Sequence, residues 1–71
     1  MKELTHKQRL VFENVKSFID EHSYSPTVSE IQKRMDFPSG NSVTGYLEAI
    51  EKKGYIKRPP KIARSIVVLQ A

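Results

Sequence analysis

The sequence has no cysteine, only three glycines among 71 residues, and no acid after Glu51. Without cysteine there is no disulfide scaffold, no thiolate zinc site and no thiol nucleophile. The longest uninterrupted apolar run, Ile66-Val67-Val68-Leu69, falls far short of the roughly 20 residues that span a bilayer. Met1-Lys2-Glu3 leads into polar sequence with no secretory pattern behind it, and a cytoplasmic location is expected. The glycines stand at 40, 45 and 54 and form no phosphate-binding loop. His6 and His22 belong to no H-E-x-x-H helix and have no third ligand at metal spacing, so neither metal nor other cofactor is expected. Asp20-Glu21-His22 reads as two solvated acids beside a histidine suited to a helix C-terminus. A chain this short buries only about 60% of its unfolded surface, enough for one core and a poor base for a ligand-sized cavity. The expectation is a single, folded, non-enzymatic domain.

What the sequence does have is positive charge, and it is unevenly placed. Twelve Lys+Arg against eight Asp+Glu give a net charge of +4. Residues 1–51 hold six basic and eight acidic side chains. Residues 52–71 hold Lys52, Lys53, Lys57, Arg58, Lys61 and Arg64 with no acid, a local charge of +6. Such a field suits a polyanion; the alternative is a strand edge kept soluble by charge.

Apolar spacing predicts three helices. Thr5 with Gln8 forms a capping box, and Val11, Phe12, Val15, Phe18, Ile19 and His22 line one face of a helix over about 6–22. Ser23-Tyr24-Ser25-Pro26 breaks it. Thr27 with Glu30 is a second capping box, followed by Val28, Ile31 and Met35 on one face of a two-turn helix. Asp36 to Gly40 reads as a turn in which Pro38 disfavours helix and Gly40 takes the dihedral the turn needs, while Phe37 plugs the gap between helices. A third helix is expected from about Asn41 to Lys53, capped by Ser39 or Asn41, with Val43, Tyr46, Leu47 and Ile50 inward and Gly54 ending it. Beyond it, residues 55–58 and 62–69 are β-branched and aromatic runs separated by Pro59-Pro60-Lys61, a predicted hairpin over 55–69.

Residues 27–53 therefore form a helix-turn-helix, whose second helix enters a major groove through its N-terminal residues. With Val43, Leu47 and Ile50 inward, the opposite face shows Asn41, Ser42, Thr44, Gly45 and Glu48. These are shorter and less charged than an ordinary solvent face. Asn41 pairs bidentately with adenine, Ser42 and Thr44 suit either base type, and Glu48 accepts from cytosine. The hairpin then serves as a wing, with Lys57, Arg58, Lys61 and Arg64 on phosphates.

Leu4-Thr5, Lys7-Gln8, Val11-Phe12, Pro26-Thr27, Glu30-Ile31, Lys33-Arg34, Phe37, Ser39, Asn41, Leu47 and Lys53-Gly54-x-Ile56 all fall in one register. On these residues the whole chain resembles the N-terminal DNA-binding domain of LexA, the bacterial SOS-response repressor, and of similar phage or plasmid regulators. The resemblance implies a mainly α, three-helix winged helix-turn-helix that binds double-stranded operator half-sites as a dimer and represses transcription. It implies base contacts from Ser39, Asn41, Ser42 and positions 44 and 45. Many LexA proteins carry acids at the last two positions, where this chain has Thr44 and Gly45. Family members continue into a self-cleaving peptidase domain; these 71 residues correspond to the DNA-binding part. Lys52, Lys53, Lys57, Arg58, Lys61 and Arg64 are the expected phosphate contacts, and about five neutralised phosphates give a salt slope near −4 to −5. The alternative function is a winged-helix module for protein contact, for instance a phage-encoded partner of a host regulator, anchored by Tyr24 or Tyr55.

Overall fold

Thr5 and Thr27 start two helices by the same reciprocal device. In the computed structural model, which describes residues 3–59 and 65–69, Thr5 Oγ1 accepts from the Gln8 amide at 3.2 Å, and Gln8 Oε1 accepts from the Thr5 amide at 3.0 Å. Thr27 and Glu30 repeat the arrangement at 3.2 and 2.8 Å. Helices α1 (His6–His22) and α2 (Val28–Met35) follow from these caps, as the capping boxes predict. Thr27→Ala should lower stability by about 1 kcal/mol, a drop in Tm of about 4–8 °C for a domain this size. Thermal melts followed by circular dichroism check this, and Thr27→Ser should melt like the parent.

Helix α3 (Gly40–Lys52) starts and ends one residue ahead of the predicted bounds. Ser39 is its cap, with the Ser42 amide donating to Ser39 Oγ at 3.4 Å. Gly40 does not supply a turn dihedral as expected; it is the first helical residue. A Cβ there would lie 3.3 Å from Val28 Cγ1, so the missing side chain lets the start of α3 close onto α2. Two other residues take the left-handed conformation without being glycine, Ser23 (φ 65°) after α1 and Asp36 (φ 56°) after α2. After α3, Gly54 takes it at φ 89°, as expected of a residue that ends a helix.

The three helices enclose Val11, Phe12, Val15, Ile31, Val43, Leu47 and Ile50, and Leu4 and Ile56 close the same core from either side. Phe12 stands edge-on to Tyr55, with ring centroids 5.5 Å apart. Phe37 stacks on Tyr46 at 5.5 Å and fixes the turn to α3, the plugging role its sequence context suggests. Glu21 is not merely solvated: its Oε1 accepts from Arg34 Nη2 at 2.8 Å, tying α1 to α2. That hydrogen bond, with the guanidinium charge, holds the Glu21 carboxyl below its ordinary range. His22 lies against Phe18 and Tyr24 at the same end of α1.

Strands β1 (Ile56–Lys57) and β2 (Val67–Val68) pair antiparallel, Ile56 with Val68 and Lys57 with Val67. Among the described residues the ladder is shorter than the β-branched runs predict. Arg58 gives its amide to a side chain outside the sheet, and Pro59 has no amide to give. Among the described residues, no helix is long and apolar enough to cross a membrane.

Candidate nucleic-acid interface

Helix α3 sorts its residues cleanly between core and surface. Val43, Leu47 and Ile50 are fully buried against α1 and α2. Asn41, Thr44, Gly45 and Glu48 recur at spacings of three, one and three, which aligns them as one stripe on the outer side, and Lys52 extends it by another turn. Asn41, Gly45, Glu48 and Lys52 are exposed and Thr44 is half-buried. A Cβ at Gly45 would meet nothing within 4 Å, so the middle of the stripe is open to a close neighbour.

Ser39 and Ser42 are placed differently. They flank the stripe at the N-terminal end of α3, and their hydroxyls lie 3.4 Å apart. Ser39 Oγ also receives the Ser42 amide, so its first task is to start the helix. The structure thus brings four of the six expected base-reading positions onto one line and sets the two serines beside it.

The expected phosphate contacts divide further. Lys52 and Lys57 are exposed, one at the end of α3 and one on β1. Lys53 is drawn into the protein, with Nζ donating to Gln8 Oε1 at 2.7 Å and to the Glu3 carbonyl at 2.9 Å. Arg58 faces Glu51: its Nε lies 3.4 Å from Glu51 Oε1 as an ion pair too poorly aligned to be a hydrogen bond. Lys61 and Arg64, with Pro60 between the strands, lie outside the described residues. Among the described residues, no group of three His, Asp or Glu side chains is arranged to hold a metal ion.

Two residues that the sequence reading did not single out for a role join this surface. Glu51 accepts the Arg58 amide through Oε2 at 3.0 Å. Ser25, buried between α1 and α2, accepts the Ile66 amide at 3.2 Å. The only signal for the first was that Glu51 is the last acid before a run of cations; Ser25 had none. Of the tyrosines considered as protein anchors, Tyr55 is half-buried against Phe12, and Tyr24 is exposed beside Phe18 and His22.

Two helices joined by residues 36–39, a third helix beneath them and a hairpin behind define a winged helix-turn-helix. The family model described as "LexA DNA binding domain" matches residues 1–65, and the chain belongs to that family. It is 38% identical over 71 residues to the LexA repressor of Anaeromyxobacter dehalogenans (strain 2CP-1), covering all of this chain and 31% of that protein. It is 41% identical to the LexA repressor of Thermosipho africanus, covering 99% of this chain and 35% of the relative. For the LexA repressor of Pelotomaculum thermopropionicum the identity is 42%, with 94% and 33% covered. The chain spans about a third of the length of these relatives.

Proposed function

We propose that this chain reads a double-stranded operator and represses transcription by occupying it, as the DNA-binding part of a LexA-type regulator. The observation that supports this most is the exposed stripe Asn41, Thr44, Gly45, Glu48, which is short in side chain and open at its centre. Asn41 presents an amide that fits adenine N6 and N7, Thr44 donates to or accepts from either base type, and Glu48 accepts from cytosine N4. Gly45 admits the floor of the groove. Ser39 and Ser42 orient the first turn and reach the bases at its edge.

Lys52 and Lys57 carry phosphates from the described surface, joined by Lys61 and Arg64 of the wing. Lys53 and Arg58 add positive potential while their bonded atoms hold the protein together. Two copies on a palindromic site place their third helices one helical turn apart on the duplex.

The test is duplex binding as a function of salt. With four cations on phosphates, log K should fall against log salt with a slope of about −3.6, and Lys57→Ala should reduce that slope by about 0.9 at unchanged base preference. Titrations monitored by fluorescence anisotropy measure both. Affinity that ignores salt, or a Lys57→Ala variant with the parent slope, contradicts the assignment.

A further inference from the structure

Among the described residues the wing's ladder is two residue pairs long, and a two-stranded hairpin is only marginally stable by itself. The Leu69 amide donates to the Tyr55 carbonyl at 2.8 Å, which sets these two at a hydrogen-bonding position of the ladder, the Tyr55 amide itself going to the Ile50 carbonyl. Alternation along an antiparallel ladder then makes Lys57 and Val67 hydrogen-bonded too. One rung further, it turns the amides of Arg58 and Ile66 outward to opposite edges. Both outward amides are captured by side chains of the helical body. Arg58 donates to Glu51 Oε2 at 3.0 Å, from the last turn of α3. Ile66 donates to Ser25 Oγ at 3.2 Å, from the buried end of the loop between α1 and α2. The same Glu51 carboxylate lies against Arg58 Nε and so sets that side chain along with its backbone. Beyond this rung, Ser65 Oγ donates to the Pro59 carbonyl at 3.3 Å, crossing the hairpin once more.

We infer that Glu51 and Ser25 are positioning residues for DNA binding: they clamp the wing from both edges at the rung on the tip side of its ladder, so that the wing and the α3 stripe meet the duplex as one rigid surface. This rests on the operator-reading function proposed above. It gives an acid a constructive place on a basic surface. An acid acting only as a neutralising charge would weaken DNA binding, and its removal would tighten it. The clamp requires the opposite sign, because a hairpin released along its edges delivers its cations to no fixed place.

Glu51→Ala and Glu51→Gln remove the same charge, but only the glutamine keeps an acceptor for the Arg58 amide. Amide hydrogen exchange by NMR reads the clamp without DNA. Protection at Arg58 should fall about tenfold or more in Glu51→Ala and be retained in Glu51→Gln, and protection at Ile66 should fall in Ser25→Ala. In duplex titrations, Glu51→Ala and Ser25→Ala should bind about tenfold more weakly than the parent with the same preferred bases. Glu51→Gln should stay within about twofold. Equal affinities for the two Glu51 variants, tighter binding by both, or unchanged exchange at Arg58 and Ile66 would overturn the inference. Failure of the operator reading shows separately, as a parent chain that does not distinguish duplex sequences while its exchange pattern stands.

Discussion

Phe12→Ala is expected to remove a large share of the chain's stability at 25 °C. Phe12 is 1% exposed, at the point where α1 meets Tyr55, and the Lys16 ammonium lies 5.4 Å from its ring centroid. Removing a buried phenylalanine costs about 3–5 kcal/mol in lost transfer energy and residual cavity. A domain of this length has about 4–10 kcal/mol in total. Urea denaturation should therefore show a midpoint shifted toward zero at an unchanged slope, with apparent DNA affinity falling in proportion to the folded fraction. Phe12→Leu keeps most of the volume and should lose less than half as much. A midpoint within error of the parent for Phe12→Ala would mean that Phe12 is not in the core of the protein in solution.

Asn41→Ala should have the largest effect on recognition while leaving the fold alone. The side chain is exposed, and among the described residues no hydrogen bond or ion pair holds it, so stability should change by less than about 0.5 kcal/mol. Loss of a bidentate contact to adenine should weaken binding to the preferred duplex by about 1–3 kcal/mol and relax selectivity at that one base pair. Binding to unrelated duplexes, which runs through phosphates, should be unchanged. Parallel titrations against a duplex selected from a random pool and against its scrambled version give the ratio directly. A uniform loss on both would place Asn41 on the backbone instead of a base. No loss on any duplex, with loss of a protein partner, would move the surface to the protein-contact reading.

The elements most legible in the sequence are those decided locally. Thr5 and Gln8, or Thr27 and Glu30, sit three residues apart, and a capping box needs nothing further to form. The stripe Val43, Leu47, Ile50 carries its own period, and its opposite face follows by geometry. Charge is where sequence reading falls short, because a count treats every cation as available. Lys53 and Arg58 share a basic run with Lys52 and Lys57, yet the first two are engaged by side chains that the fold brings beside them, Lys53 by a hydrogen bond and Arg58 by an ion pair. The partners lie 45 residues away in one case and seven in the other; no local pattern announces the first, and only the place of Glu51 ahead of the cations points to the second. Helix termini show the same limit. Gly54 is readable because glycine favours positive φ, whereas Ser23 and Asp36 adopt it under the demands of the turns that bring α1, α2 and α3 together.

The Lys53 tether also bears on the order in which this chain assembles. Its two hydrogen bonds join residues 45 and 50 positions apart, linking the end of α3 to the segment that opens α1. The chain entropy lost in closing so large a loop is recovered only after both helices are packed on their common core. The ammonium therefore finds its two acceptors late, as a latch on a structure already built, and it is absent from whatever nucleus starts the process. A bond made late in folding is broken early in unfolding. Loosening of the first turn of α1 would thus precede global melting, and that turn is the sensitive reporter of stress on α3.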